Sequence, residues 1–333
     1  MFNLISGRNN NLRKSISWML FFLSILLAQI AQGQSSYPEK PIKLVVGYPP
    51  GGSADFVTRV TADELSKELG VSVLVDNKPG AGGSIAAELV SKQPADGYTF
   101  AVLGPHALIK ALFPKLSFDP DKELLPITSL AVGSMIICVN PKTPFKTLKE
   151  LIDYAKLHPQ QLFSAASGNG STPHLAAALF ESSAGVKFST VQFKGGGAAA
   201  QSTMAGDTQV MFATPPTVLG FIKAGMLRPL SVTTAKASPA VPGIPGALES
   251  GLAGYDTNFS FGLYAPKGTP PELMKKVFEG VTKGLQHSGI KERFAFQGMD
   301  VYTSKSMDAF DLELKADAPN VYRAVKESGA KVE

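Results

Sequence analysis

Short apolar runs rich in β-branched residues alternate along the chain with segments of helical periodicity. After residue 40 the first such run is Ile42–Val46, and apolar residues then recur on one helical face between Phe56 and Leu69. A short β-branched run followed by glycine and proline predicts a buried strand. The recurrence predicts an amphipathic helix that ends at Gly70.

The alternation continues through most of the sequence. It predicts strands at residues 71–75, 98–103, 135–139, 162–166, 190–193 and 208–213, and helices at residues 83–91, 147–158, 173–183 and 198–205. Thr147 and Glu150 have the spacing of a capping box at the start of their helix. Strands that alternate with helices predict parallel sheets covered on both faces, which is an α/β fold.

The first 33 residues have a different pattern. Basic residues lie at positions 8, 13 and 14, an apolar run follows at positions 16–30, and Ala31, Gln32 and Gly33 then form a small-x-small sequence. These are the three parts of a secretory signal peptide, which we assign to residues 1–33. A membrane anchor is the alternative, but about 15 apolar residues are few for a helix that needs ~20 to cross a bilayer. The sequence therefore predicts an exported protein.

Composition and charge exclude several classes of protein. The 333 residues, of which 44% are hydrophobic and 18% charged, predict about two domains with cores of their own rather than a disordered chain. The formal charge of +5 suggests nucleic acid, but removing residues 1–33 takes away three basic and no acidic residues, which leaves about +2. The remaining basic residues are interspersed with acidic ones, so we expect no nucleic-acid partner. The single cysteine, Cys138, excludes an internal disulfide, and its apolar neighbours predict a small buried side chain.

Three segments combine a strand, a turn rich in glycine, serine and threonine, and a following helix. They are residues 48–55, 167–174 and 193–197. Glycine lets the backbone turn sharply and approach a ligand closely, and the start of a helix presents unpaired N–H groups and the positive end of its dipole. Any one of these turns could be a tight connection between a strand and a helix without a role in ligand binding. Together they predict a site for a carboxylate or phosphate group at the carboxyl ends of the strands.

Several side chains near these turns have two possible roles. Asp55 either caps the first turn of its helix or contacts an amine or hydroxyl group of the ligand. His174 either donates to a ligand carboxylate or packs within the fold, and His106 is a further candidate because it follows a predicted strand. Hydroxyl donors are offered by Ser53, Ser171 and Thr172.

The sequence lacks the common catalytic and cofactor motifs. It contains no G-x-S-x-G elbow, no phosphate-binding P-loop, no G-x-G-x-x-G and no H-E-x-x-H. The four histidines are widely separated and no cysteine pair exists, so we expect no metal site, no cofactor and no enzymatic activity. The alternative from a different class is an exported hydrolase that uses Ser171 with His174 or His106.

Longer motifs follow one another along the chain in a fixed order. They are YPEKPI at 37–42, VVGYPPGGSAD at 45–55, DNKPGAGG at 76–83, ADGYT at 95–99, GNGS at 168–171 with His174, FKG at 193–195, AGMLRPL at 224–230 and APKGTP at 265–270. In these motifs, over essentially the whole chain beyond the leader, the sequence resembles the tripartite tricarboxylate transporter solute receptors, also called the Bug family.

The resemblance implies a fold and a function. The fold is that of a type II periplasmic binding protein, in which each of two α/β lobes has a central, mostly parallel sheet flanked by helices and the ligand cleft lies between them. The family's two crossings place lobe 1 at residues 37–138 and 262–333, and lobe 2 at residues 139–261. The function is that of a monomeric periplasmic receptor that captures a small organic carboxylate, such as a di- or tricarboxylate, an amino acid or an aromatic acid. Its partners would be a two-component membrane permease or, as an alternative for an orphan receptor, a sensor kinase.

The resemblance also implies the ligand-binding residues. Carried over position by position, they are Tyr48, Gly52, Ser53, Ala54 and Asp55 in the first turn, Gly168, Asn169, Gly170, Ser171, Thr172 and His174 in the second, and Phe193 and Gly195 in the third.

The chain departs from the family pattern at four positions near the expected cleft. The family often has Asp near Ala213, Tyr at Phe193, Trp near Phe261, and Ser or Thr where Pro105 and His106 stand. His106 and Ala213 therefore join the candidate site as positions that differ from the family pattern. Fewer acidic and more apolar groups favour an aromatic or otherwise less polar carboxylate, since a buried unpaired polar group costs ~1–3 kcal/mol.

Overall fold

Two mixed β-sheets form the framework of the protein in a computed structural model that describes residues 37–108 and 117–328. The first sheet has the order β11-β4-β10-β3-β1-β2, and the second has the order β7-β6-β8-β5-β9. The first sheet contains β1 (Ile42–Val46), β2 (Val73–Asn77), β3 (Thr99–Leu103), β4 (Leu124–Gly133), β10 (Phe259–Pro266) and β11 (Asp300–Val301). The second sheet contains β5 (Ile136–Val139), β6 (Phe163–Ala166), β7 (Ser189–Gln192), β8 (Val210–Ala213) and β9 (Arg228–Val232).

Helices connect most of these strands. They are α1 (Ser53–Leu69), α2 (Ser84–Ser91), α3 (Pro120–Glu123), α4 (Leu148–Leu157), α5 (Thr172–Ala184), α6 (Gly196–Ala205), α7 (Pro215–Lys223), α8 (Pro271–Gly284), α9 (Ile290–Phe296) and α10 (Met307–Ser328). The predicted signal peptide at residues 1–33 lies outside the described residues. None of the described helices has the length and apolar character that crossing a bilayer requires.

Each sheet has a parallel and an antiparallel part. In the first sheet β1 pairs in parallel with β2 and β3, and in the second β6 pairs in parallel with β7 and β8. β10 pairs antiparallel with β3 and β4 in the first sheet, and β5 pairs antiparallel with β8 and β9 in the second. Both strands are the first that the chain forms after it has passed from one sheet to the other. The predicted α/β class with two helix-flanked sheets is confirmed.

The chain changes sheets a few residues earlier than the boundaries taken from the resemblance. Ile136 already pairs with Ala213 and Val232 in the second sheet, whereas residues up to 138 were assigned to lobe 1. Phe259 already pairs with Gly133 in the first sheet, whereas residues up to 261 were assigned to lobe 2. Strand pairing therefore places the crossings just before Ile136 and just before Phe259. Residues from Lys40 onward form one compact unit that contains both sheets, and their behaviour as two lobes stays a prediction.

Local signals explain the helix boundaries. α1 ends where Gly70 adopts the left-handed conformation with φ of 70°, and its N–H donates to the Ser66 carbonyl. Thr147 caps α4 by accepting from the Glu150 N–H, as the capping box predicts, while the Glu150 carboxylate accepts from the Lys146 N–H.

Each sheet has its own apolar core. Val45, Ala101 and Leu103 lie in the core of the first sheet, and Ile136 and Met211 in that of the second. Burying such a side chain stabilises a fold by roughly 1.5–3 kcal/mol. Cys138 lies in the second core without solvent exposure, and burial raises the pKa of its thiol, so the predicted buried hydrophobe is confirmed.

Candidate functional site

The turns that follow β1, β6, β7 and β8 surround one cavity of about 460 Å³. Each turn stands at the carboxyl end of a parallel strand and leads into a helix, which is where open α/β sheets bind ligands. The cavity is lined by residues 48–54, Ser167, residues 171–173, residues 194–198, residues 211–214, Pro216, Thr217, Phe221, Phe259 and Phe261.

The predicted site residues divide into two groups in this structure. Those that line the cavity are Tyr48, Gly52, Ser53, Ala54, Ser171, Thr172, Gly195 and Ala213. Those outside its lining are Asp55, His106, Gly168, Asn169, Gly170, His174 and Phe193. Each of the three motif turns thus contributes to the lining, but several motif residues lie outside it.

Other lining residues were missed by the sequence analysis. They come from the turn between β8 and α7, where Thr214 precedes two prolines, and from Phe221 and Phe259. Proline at the first helical position after a predicted strand was a usable signal for this turn. The contribution of Phe259 depends on β10, which the sequence analysis did not identify as a strand.

Asp55 supports the first turn from behind. Its Oδ2 accepts from the Gly51 N–H at 3.0 Å and from Arg59 Nε at 2.9 Å, and its Oδ1 accepts from Asn77 Nδ2 at 3.0 Å. Burial opposes ionisation of this carboxyl, but the hydrogen bonds from Arg59, Gly51 and Asn77 outweigh it and hold the Asp55 pKa below its ordinary value. The geometry favours a structural role at the start of α1 over ligand contact.

His174 has a similar role in the second turn. Its Nδ1 accepts from the Gly170 N–H at 3.1 Å, which braces the turn against the first residues of α5. Burial, together with the positive charge of Lys187, lowers the pKa of this imidazole, so it stays neutral at neutral pH. His174 is therefore a packed, turn-supporting histidine.

A chain of hydrogen bonds joins Tyr48, His106 and Thr172. Tyr48 Oη donates to the Gly82 carbonyl at 3.1 Å and accepts from the Gly104 N–H at 3.3 Å. Its contact with His106 Nε2, at 3.1 Å, therefore has the ring nitrogen as donor. A neutral imidazole carries one proton, so Nδ1 accepts the Thr172 Oγ1 proton at 3.1 Å.

The Thr172 hydroxyl is thus already hydrogen-bonded to His106, and its role as a donor to the ligand stays a prediction. Burial lowers the pKa of His106 from 6.5 to about 4, against the opposing effect of a hydrogen bond to the Gly82 backbone. The imidazole is thus neutral at neutral pH, as the assigned tautomer requires.

In the described part of the chain the Ser171 hydroxyl bonds another hydroxyl rather than a base. Its Oγ lies 3.2 Å from Ser167 Oγ, whereas His106 bonds Tyr48 and Thr172, and His174 accepts from the Gly170 N–H. A nucleophilic serine requires a base within hydrogen-bond reach of its hydroxyl. The hydrolase alternative gains no support from this geometry.

The cavity offers neutral donors rather than fixed charges. Among the described residues that line it, Lys194 is the one with a charged side chain, and that residue is exposed. The first residues of α1, α5 and α6 bring N–H groups that have no partner inside their helices. Such a combination is suited to an anion and does not need an ion pair.

A family model confirms what the motifs and the cavity indicate. Residues 57–324 match the model described as the tripartite tricarboxylate transporter family receptor. The chain belongs to this receptor family. Among its relatives, Protein BugT of Bordetella pertussis is 32% identical over 266 residues, which cover 79% of this chain and 82% of BugT.

Solved structures support the family fold. The structure described as R. palustris Rpa4515 with adipate has a TM-score of 0.83 and 31% identity, and covers 89% of this chain and 100% of that one. MatC (Rpa3494) from Rhodopseudomonas palustris with bound malate has a TM-score of 0.79 and 27% identity, and covers 88% of this chain and 100% of that one. The predicted periplasmic-binding-protein fold of this receptor is thereby confirmed.

Proposed function

We propose that this family receptor captures a small organic carboxylate in the periplasm and delivers it to a membrane permease. The observation that carries the proposal is the cavity at the helix starts, where backbone N–H groups converge and Lys194 is the charged lining residue. Two similar proteins whose structures contain adipate and malate support a carboxylate as the ligand.

Capture takes place by closure of two lobes around the ligand. A ligand that contacts both lobes stabilises the closed arrangement preferentially. The cavity is lined both by residues that follow strands of the first sheet, such as Ser53, and by residues that follow strands of the second, such as Thr172 and Gly195. The receptor acts as an exported monomer, with residues 1–33 as its leader, and the permease recognises the loaded form.

The first test is a thermal-shift screen of the mature chain against organic acids, followed by calorimetry on those that bind. A ligand that binds only the folded chain raises its melting temperature by mass action. We expect at least one carboxylate to bind with micromolar or better affinity. The absence of binding by every acid in the screen would contradict the proposal.

The second test removes one hydroxyl group from the cavity. Ser171→Ala should weaken binding by about five- to tenfold, because one net hydrogen bond contributes ~1 kcal/mol. Ser182→Ala, an exposed position of the same helix, is the matched control and should leave the affinity unchanged. Equal affinity of both variants and the parent chain in calorimetry would remove Ser171 from the site.

A further inference from the structure

We propose that the acid bound in this cavity carries one carboxylate and an otherwise apolar body. This inference rests on the proposed function, because it names the class of carboxylate that the same cavity accepts. It follows from which elements of the lining offer backbone donors and which offer apolar side chains.

Donor groups come from three of the four helix starts. Ser53 and Ala54 begin α1, Thr172 begins α5, and Gly196 and Gly197 begin α6, and all of them line the cavity. The first N–H groups of a helix have no acceptor within it and favour a negative charge. These three starts provide the backbone donors suited to a carboxylate.

The fourth helix start provides no such donors. α7 begins with Pro215 and Pro216, which have no N–H group, and the Thr217 N–H donates to the Thr214 carbonyl at 3.0 Å. A second carboxylate directed at α7 would therefore meet no backbone donor from its first three residues, only the neutral hydroxyl groups of Thr214 and Thr217, which lie 3.2 Å apart and bond each other.

Five apolar side chains, four of them aromatic, also line the cavity. This apolar wall consists of Met211, Phe212, Phe221, Phe259 and Phe261. Neighbouring aromatic rings hold it in place: the Phe261 ring centroid lies 5.9 Å from that of Tyr48 and 5.7 Å from that of Phe259. An apolar ligand body gains free energy against such a surface by leaving water.

A second carboxylate against the apolar wall would lose its water without gaining a donor from these five side chains. Burial of an unpaired charge is strongly unfavourable, and the charged lining residue, Lys194, is exposed and can keep its own water. A cavity of about 460 Å³ lies in the size range of small-molecule sites, which is enough for an acid with an aromatic ring or a short alkyl chain.

The test compares acids that differ only by one carboxylate. Hexanoate is paired with adipate, and benzoate with terephthalate, and each dissociation constant is measured by calorimetry on the mature chain. We expect the better monocarboxylate to bind at least roughly tenfold more tightly than its dicarboxylate partner. Malate, citrate and glutamate extend the set to acids with further ionised groups.

The outcomes separate this inference from the proposed function. If the tightest ligand of the set carries a second ionised group, the inference is wrong and the proposed function stands. If none of these acids and no acid of the wider screen binds, the proposed function itself is contradicted. A monocarboxylate as the tightest ligand supports both.

A charge placed in the apolar wall gives a second measurement. Phe221→Arg should reverse the preference within the hexanoate and adipate pair by at least about tenfold, because the guanidinium offers a second carboxylate a partner. Ile222→Arg is the matched control, since this neighbouring half-buried residue of α7 packs on the same core outside the cavity lining. An unchanged preference in a folded Phe221→Arg chain would overturn the placement of the ligand body.

Discussion

His106 accepts a hydrogen bond from Thr172, with 3.1 Å between Nδ1 and Oγ1, and this bond joins the two sheet systems of the receptor. His106 follows β3 of the first sheet, whereas Thr172 begins the helix after β6 of the second. In this direction the bond uses a neutral imidazole, and burial provides one by lowering the histidine pKa to about 4. A contact between the sheets thus involves a titratable group.

Stability should therefore fall as the pH decreases from 7 to 5. The pKa of His106 is lower in the folded chain than its ordinary value of 6.5, so protons favour the unfolded chain as the pH drops below 6.5. Between pH 7 and 5 the loss from His106 amounts to about 2 kcal/mol, and His174 adds to it in the same direction. Urea unfolding at a series of pH values measures this slope.

A histidine variant isolates the contribution of His106. His106→Gln should flatten the slope between pH 7 and 5 relative to the parent chain. Asp55 and Glu64 add little to the stability slope between pH 7 and 5. Their pKa values are lowered in the folded chain, so the stability that they contribute is lost mainly when the pH falls below their ordinary pKa values of 3.8 and 4.5. An unchanged slope in His106→Gln would show that this imidazole is not held neutral.

The carboxylate of Asp55 should stabilise the first turn. Asp55→Asn is expected to lower the free energy of unfolding by ~1–3 kcal/mol, because the charged partner of Arg59 and of the Gly51 N–H is lost. Ligand affinity should fall as well, since the turn at residues 51–54 lines the cavity. Asp63→Asn, an exposed position on the same helix, should change stability by less than ~0.5 kcal/mol in denaturant unfolding. Equal effects of the two variants would contradict the role of Asp55.

Gly195 is expected to control how closely the second sheet approaches the first turn. Its φ is +103°, and a Cβ at this position would lie 3.2 Å from Pro49 Cγ. Gly195→Ala should therefore weaken ligand binding severalfold in calorimetry, in addition to the backbone strain of ~1–2 kcal/mol.

Gly225 provides the control for that strain. Its φ is +70°, and a Cβ there would meet no atom within 4 Å. Gly225→Ala should lower stability by a similar amount but leave the affinity unchanged. If the two variants bind the ligand equally well, the approach of Gly195 to Pro49 does not matter for capture.

A buried carboxylate on α1 should make His287 important for stability. The Glu64 side chain is 2% exposed and its Oε2 lies 2.7 Å from His287 Nδ1, with Lys67 as its other partner. His287→Ala should cost roughly 1–3 kcal/mol, since Lys67 remains to compensate part of the charge. Lys149→Ala removes an exposed pair with Asp153 and should cost less than ~1 kcal/mol in the same unfolding measurement.

The sequence predicted the elements whose signals are local. β1 coincides with its apolar run, α1 ends at Gly70, and Thr147 caps α4 as its spacing indicates. β2 begins two residues later than predicted, since strand bounds depend on pairing with β1 rather than on hydropathy. β4 was missed because Pro126 interrupts its pattern; the structure places Pro126 opposite Tyr264, beside an irregularity in the ladder.

The candidate site was predictable to the level of its turns. Glycine-rich segments after strands indicated where the helix starts meet, and the motifs indicated the receptor family. The roles of individual side chains were harder to predict from the sequence, because whether Asp55 or His174 faces the cavity depends on which neighbours form hydrogen bonds with it. The hydrogen bond between the Thr172 hydroxyl and His106 joins residues that are 66 positions apart in the chain.

The sequence by itself therefore determined much of the succession of strands and helices and the position of the glycine-rich turns, because these follow from local periodicity and backbone conformation, and its motifs determined the family. The tertiary structure decided which turns share a cavity, which histidines are neutral and where the apolar wall lies. Those properties arise from contacts between distant segments, such as Phe261 against Tyr48 and Gly195 against Pro49, and local sequence patterns do not encode such contacts.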